Sequence, residues 1–333
     1  MRYEKAVVIG KFYPPHRGHH HLIDTALNAS SFVTVIVCAK PIDSIPGDFR
    51  AAWLREAHPR ANVMLIDDRY DENDTAVWAR NTIAWLGGAP DVVFTSEDYG
   101  EPYSRMMGCA HVLVDKARLA VPCSATMIRN DPYANWDFLG PPVRAWYARR
   151  VCVLGAESTG TTTLAQDLAA RYETVWVPEF GREYSAEKWA RDDFLWTTDE
   201  FPRIALEQER REDHAARRAN RVLICDTNAF ATTLWHRRYV GGENEALKEI
   251  ARRARCDLYL LTGDEIPFVQ DGLRDGEHVR HEMHAWFEGA LQAGDVPWLL
   301  VRGSREDRLA LASEAINALF RDSKWSPQGT GDA

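Results

Sequence analysis

A chain of 333 residues with 45% apolar and 27% charged residues has the composition of a globular protein and the length for two α/β domains, each with its own core. Its net charge of −9 argues against a protein built to coat nucleic acid. Cys38, Cys109, Cys123, Cys152, Cys225 and Cys256 are scattered without a C-x-x-C pair, and neither an apolar run of about 18 residues nor a leader-like segment precedes the first strand, so a reduced, cytoplasmic protein without membrane spans is expected.

Residues 5–19, KAVVIGKFYPPHRGH, open the first pattern. Ala6, Val7, Val8 and Ile9 read as a buried strand, Gly10 ends it, and Phe12 to Pro15 form a rigid turn. His16-Arg17-Gly18-His19 then starts an amphipathic helix through Leu22, Ile23 and Ala26. Two histidines three apart share a helix face, beside free N–H groups and the positive end of the helix dipole. Phosphate is stabilised at such a place. Lys11 stands where it can add a further contact. His20 and His21 extend the run and read as exposed or packing residues.

Strands are expected at 31–38, 62–67, 91–96 and 111–115, with helices within 46–59 and near 74–86. This alternation implies a parallel sheet covered on both faces, with ligands outside the strand C-termini. His16 and His19 lie at such an end, as do Asp67–Arg69 and the segment Thr95 to Gly100. Each of the latter two also fits an ordinary polar loop. Cys123-Ser124-Ala125-Thr126-Met127-Ile128-Arg129 supplies two hydroxyls, a helix start and a guanidinium fork, a set suited to the outer phosphates of ATP. One of Trp53, Trp78 or Trp85 could stack on a flat cationic ring, though each also fits a core position.

Pro132, Gly140, Pro141 and Pro142 mark a joint, after which a second α/β pattern begins. A strand at 150–154 runs into Gly155-Ala156-Glu157-Ser158-Thr159-Gly160-Thr161-Thr162-Thr163, and a helix follows. Strand, GxxxxG, hydroxyl residue and helix form the frame of a phosphate-binding P-loop. Thr161 stands where the pattern has lysine, which supplies the point charge at the β- and γ-phosphates. Backbone N–H groups and the Thr162 hydroxyl remain. Further on come Glu179 and Arg182 after a short strand, a long charged helix over 199–220, and the strand 222–226 ending in Asp226. Another strand is expected at 257–262. A loop with Arg274 and Arg280 precedes a helix, then a last strand at 298–302 and a terminal helix.

GKFYPPHRGH resembles the GxFxPxHxGH signature of the HxGH nucleotidylyltransferases, and its wording is most similar to the NadR-type nicotinamide mononucleotide adenylyltransferases. CSATMIR, about 105 residues later, resembles the ISxTxxR motif of that superfamily, with Cys123 in place of a branched apolar residue. SEDYG, NDPYANW, PPVRAWY, GAESTG and the PEFGRE segment are similar to the NadR-type bifunctional proteins, so the likeness spans about residues 5–320. The fold it implies is a Rossmann-like nucleotidylyltransferase domain (1–135), a linker (136–149), a P-loop ribosylnicotinamide kinase-like domain (150–322), both with parallel sheets, and a disordered tail (323–333).

The resemblance implies that the 5′-phosphate of nicotinamide mononucleotide attacks the α-phosphorus of ATP, giving NAD and pyrophosphate without a protein nucleophile. His16 and His19 would contact the ATP phosphates, Lys11 would add a contact, and Ser124, Thr126 and Arg129 would hold pyrophosphate. Glu97 and Tyr99 would face the substrate. In the second domain Gly155, Ser158, Gly160, Thr161 and Thr162 would bind ATP phosphate. Glu179 would accept a ribose hydroxyl or its proton, Arg182 would contact substrate or phosphate, and Thr162 and Asp226 would hold Mg²⁺. Arg274 and Arg280 are lid arginines placed to replace charge missing at Thr161.

Cofactor and co-substrate are then Mg²⁺ and ATP, with nicotinamide mononucleotide and ribosylnicotinamide as the other small molecules. No nucleic-acid or membrane partner is expected, and a homo-oligomer is compatible with the sequence. A second reading makes the C-terminal domain a non-catalytic nucleotide-binding regulatory module, which Thr161 favours. Transcriptional repression through a helix-turn-helix finds no room before a strand that starts at residue 5. Another acceptor for the first domain, such as phosphopantetheine, is disfavoured by SEDYG and NDPYANW. Preference between nicotinamide and nicotinate forms stays open.

Overall fold

The computed structural model describes residues 2–269 and 277–321. The chain divides into two compact units, residues 1–143 and 144–333.

The first unit runs β1 (Tyr3–Gly10), α1 (Arg17–Ala29), β2 (Ser30–Ala39), α2 (Gly47–Ala57), β3 (Asn62–Asp67), α3 (Thr75–Leu86), β4 (Val92–Thr95), α4 (Gly100–Met107), β5 (Ala110–Leu113) and α5 (Ala125–Asn130). The strands pair in parallel in the order β3-β2-β1-β4-β5. Period-2 alternation of the side chains builds two cores. Val8, Val35, Val37 and Phe94 pack on one face with Leu22, Ile23 and Leu54. Val7, Ile9, Ile36 and Val93 pack on the other with Ala79, Tyr103 and Met107. Both faces are covered, which is why the strands read as continuous apolar runs.

Residues 136–149, expected as a linker, are largely ordered into secondary structure. A 3₁₀ turn spans Trp136–Phe138, and α6 (Pro141–Tyr147) crosses the division between the units. Trp136, Leu139 and Val143 are buried.

The second unit continues with β6 (Arg149–Leu154), α7 (Thr161–Arg171), β7 (Trp176–Val177), α8 (Phe180–Trp189), α9 (Glu200–Ala216), β8 (Val222–Asp226), α10 (Ala229–Tyr239), α11 (Glu245–Arg253), β9 (Leu258–Thr262), α12 (Arg280–Gln292), β10 (Trp298–Val301) and α13 (Arg305–Arg321). Its parallel sheet has the order β10-β9-β6-β8-β7. Val151, Val153, Ile224 and Leu260 meet Leu164 and Leu168 of α7 and Ile316 of α13 on one face. A separate cluster joins α9, α10 and α11 through Phe201, Ala205, Ala229, Leu247 and Ile250. The long charged helix ends at Ala216 rather than near 220, because Asn220 leaves it to bridge Val222 and to donate its backbone N–H to the Thr174 hydroxyl oxygen. All six cysteines are free thiols. Among the described residues no helix is long and apolar enough to cross a membrane.

Candidate active site

In the first unit the turn after β1 delivers His16 to the N-cap of α1, where its ring Nδ1 accepts the Gly18 N–H at 3.1 Å. Accepting there leaves the neutral ring with its proton on Nε2. His19 stacks on His16 at 3.8 Å between ring centroids, and Phe12 meets His19 edge-on at 5.0 Å. Burial, then the His20 and Arg118 charges, push the His16 pKa down to about 3, and burial lowers that of His19 well below the ordinary value. At neutral pH the pair is a set of uncharged donors. The cationic charge must come from elsewhere.

Arg129 supplies one source. It leaves α5, donates to the Tyr13 carbonyl and, at 3.2 Å, to the Thr126 hydroxyl, and lies 4.8 Å over the Tyr13 ring. The structure thus brings the two motifs together across 116 residues. Ser124 caps α5 by accepting the Met127 N–H at 3.2 Å. Cys123 places its sulfur 3.2 Å from His16 Nδ1, so the residue that departs from the ISxTxxR pattern touches the first histidine.

Lys11 lies in the same turn, with Nζ 2.7 Å from Glu72. Sequence reasoning missed Lys40, which reaches the same carboxylate at 2.9 Å from the end of β2. Its signal was a lysine just past a parallel strand's C-terminus. Arg50 was also missed as a supporting residue. Fully buried, it donates to the Lys11 carbonyl and to Asp43, each at 2.7 Å. Glu97 is exposed, while the Tyr99 hydroxyl donates to the Ile9 carbonyl at 3.0 Å, holding its ring at the end of β1. Trp53 is a core residue, and Trp78 and Trp85 pack with each other and Tyr70.

In the second unit the P-loop follows β6. Gly160 has φ 85° and Ser158 φ 58°, left-handed conformations that turn the chain sharply between β6 and α7. A Cβ on Gly155 would stand 2.3 Å from the Thr262 hydroxyl, so only glycine fits there. The loop lines a cavity of about 160 Å³ together with Glu179, Arg182, Gln208 and Asp226. Thr162 donates to Asp226 at 2.6 Å, and the other carboxylate oxygen of Asp226 is buried without a hydrogen bond. Burial pushes the Asp226 pKa up, against the pull of the Thr162 hydroxyl.

A hydroxyl and a buried carboxylate with a spare oxygen are hard donors that suit Mg²⁺. Phosphate and water would complete the shell of such an ion. When bound, it would neutralise phosphate charge.

Arg280 does not face this cavity. It is buried, and its Nη2 donates to the Ile266 carbonyl at 2.5 Å and to that of Ser158 at 3.4 Å. It supports the P-loop's main chain instead of offering charge to a ligand. Arg274 lies outside the described residues. The sequence reading also missed an aromatic wall: Trp196, Trp235 and Tyr239 line the cavity, with Tyr239 stacked on Trp196 at 5.2 Å. Trp235 and Tyr239 are four apart on α10, a spacing that shares one helix face and could have flagged them.

A family model described as an AAA domain matches residues 150–308. The trifunctional NAD biosynthesis/regulator protein NadR of Escherichia coli (strain K12) is 29% identical over 292 residues, covering 80% of this chain and 71% of that protein. NadR of Salmonella typhimurium (strain LT2) is 29% identical over 291 residues with the same coverage. The chain is homologous to NadR. Its fold is also that of a NadR protein crystallised with NR, at a TM-score of 0.77 and 20% identity over 100% of this chain and 99% of that one. A NadR protein in complex with NAD and AMP-PNP gives a TM-score of 0.72 at 20% identity, covering 96% of each chain.

Proposed function

We propose that the chain acts in NAD biosynthesis, with an adenylyltransferase site in the first unit and a ribosylnicotinamide kinase site in the second. The observation that carries the first half is the stacked, uncharged His16–His19 pair at the start of α1, facing the turn that Arg129 grips. The mononucleotide phosphate oxygen bonds to the α-phosphorus of ATP as the bond to the bridging oxygen breaks, and pyrophosphate leaves. His16 Nε2–H and His19 donate to phosphate oxygens. Arg129 exchanges its carbonyl partner for the leaving pyrophosphate, with the Ser124 and Thr126 hydroxyls beside it and Lys11 as a second cation.

In the second unit the cavity carries Glu179 and Asp226 against Arg182, while Glu157 is paired with Arg238. That balance suits a substrate with a flat cationic ring, for which Trp196, Trp235 and Tyr239 provide π-faces. Glu179 takes the proton of the ribose hydroxyl, while the P-loop N–H groups hold the ATP phosphates, and Thr162 and Asp226 would hold Mg²⁺. Thr161 favours a second reading, in which this unit binds nucleotide and regulates without transferring phosphate.

The test incubates the purified chain with ribosylnicotinamide and MgATP, and separately with nicotinamide mononucleotide and MgATP, and follows products by chromatography. We expect mononucleotide and NAD in the first mixture and NAD in the second. His16→Ala should abolish NAD formation, and Asp226→Ala only the kinase step. Adenylation without phosphorylation would leave the second unit as the regulatory module.

A further inference from the structure

We infer that Arg182 carries the phosphate charge for which a P-loop ordinarily uses lysine at the position of Thr161. The inference rests on reading the second unit as a kinase.

Arg308 is buried and committed, donating to the Thr159 carbonyl at 2.6 Å, to that of Gly263 at 3.2 Å and to Glu265 at 2.6 Å. Arg280 is spent on the carbonyls of Ser158 and Ile266. Arg238 is nearly buried, pairs with Glu157 and lies 4.7 Å over the Tyr239 ring. All three brace the loop or the aromatic wall. Among the described residues that line the cavity, Arg182 is the only lysine or arginine.

Its position is suitable. Glu179 is the N-cap of α8 and Arg182 stands three residues later, so both lie on one helix face, and both line the cavity. Arg182 is exposed and also acts on the Asp226 carboxylate through space. An arginine fork can span two equatorial oxygens of a transferring phosphoryl group, which a lysine would meet as a point charge. In the step itself the ribosyl hydroxyl oxygen bonds to the γ-phosphorus and its proton passes to the Glu179 carboxylate. The bond from that phosphorus to the β–γ bridging oxygen breaks, and the electron pair leaves with ADP. Arg182 faces the charge on the oxygens in between.

The test measures ADP released from MgATP and ribosylnicotinamide, since adenylyl transfer releases pyrophosphate instead. The full chain is compared with Arg182→Ala, Arg182→Lys, Thr161→Lys and the Arg182→Ala/Thr161→Lys double variant, each checked for an unchanged thermal midpoint. We expect Arg182→Ala to lower kcat about 1,000-fold, as loss of an arginine on the transferring group does. Arg182→Lys should retain part of the rate, and Thr161→Lys should recover about 10-fold or more in the double variant. A kcat for Arg182→Ala close to that of the native chain, with only KM for the nucleoside raised, would overturn the inference. So would a double variant no faster than Arg182→Ala. A native chain that is silent while Thr161→Lys is active would overturn the role of Arg182 and leave the kinase reading standing. Silence of both would remove the kinase reading itself.

Discussion

Arg50 is the largest completely buried side chain among the described residues, and its burial is tolerated because the guanidinium meets the Lys11 carbonyl and the Asp43 carboxylate. Arg50→Met removes the donor to the Lys11 carbonyl and leaves Asp43 with the Lys40 N–H but no cation, so we expect a loss of about 3 kcal/mol in urea unfolding. Its adenylyl transfer should fall too, because the turn carrying Lys11 and Tyr13 loses its anchor. His16 makes a different prediction. With its pKa pushed down to about 3, the ring binds fewer protons folded than unfolded. Its contribution to stability is therefore present above about 6.5 and is lost as pH falls towards 3. The pH profile of kcat/KM for adenylyl transfer should show no inflection of the enzyme's own near 6.5. A limb there beyond the one set by the mononucleotide's own phosphate, whose second ionisation lies at about 6, would mean that the histidines work as cations. Glu212 of α9 has the opposite sign. Burial pushes its carboxyl up to about 8, against the Arg150 charge, so the folded chain keeps a proton that the unfolded chain gives up near 4.5. Stability should decline as pH rises between these values, and Glu212→Gln should flatten that slope in urea unfolding measured from pH 5 to 9. None of these three burials was legible in the sequence, because each depends on contacts made by distant segments.

At the scale of elements, strands were the readable part. β6, β8 and β9 are buried at every position, and each contains an apolar run of four residues, 151–154, 222–225 and 258–261. Helices α4, α8 and α10 were not anticipated. Helix α4 begins at Gly100 with a proline in its first turn, a composition that reads as loop. Helix α10 carries paired threonines and aromatics, although its cap was visible in principle: Asn228 accepts the N–H groups of Phe230 and Ala231. Missing α10 concealed the aromatic wall. Trp235→Ala or Tyr239→Ala should raise KM for ribosylnicotinamide about 10-fold each while leaving KM for ATP near its native value, as removal of a π-face from a cation predicts. Gly100 shows why α4 starts where it does. A Cβ there would stand 2.2 Å from both His111 Nε2 and the Thr95 hydroxyl, which hydrogen-bond each other at 2.8 Å. Gly100→Ala should cost about 1–3 kcal/mol, read as a lowered thermal midpoint.

For the whole molecule, two runs of alternating strands and helices separated by prolines made two α/β sheets legible. The strand orders did not follow from any local pattern. Pairings such as Val153 with Asp226 and Val151 with Leu258 join positions remote in sequence, and loop connections fix them only through the complete fold. The same orders place the histidine turn after β1 and the P-loop after β6, each at a central strand of its sheet. The candidate sites were legible as motifs and illegible as charge balances. Which arginines line the cavity and which brace the main chain depended on contacts that only the complete fold makes. Ligand protection should follow the units: ribosylnicotinamide should slow amide exchange around 179–185 and 228–239 and leave 5–19 unchanged.

The Tyr13 ring lies 5.1 Å from the Arg50 guanidinium and 4.8 Å from that of Arg129, while Arg50 is held by Asp43. Each member of this chain of contacts makes the next one tolerable. Loss of Asp43 alone would leave a cation in the core, and loss of Arg50 alone would leave the Lys11 carbonyl without its donor and the Asp43 carboxylate with the Lys40 N–H in place of a cation. Evolutionary drift at these positions is therefore constrained to paired steps, and across homologous sequences residues 43 and 50 should be kept or replaced together, with position 13 remaining aromatic wherever both persist.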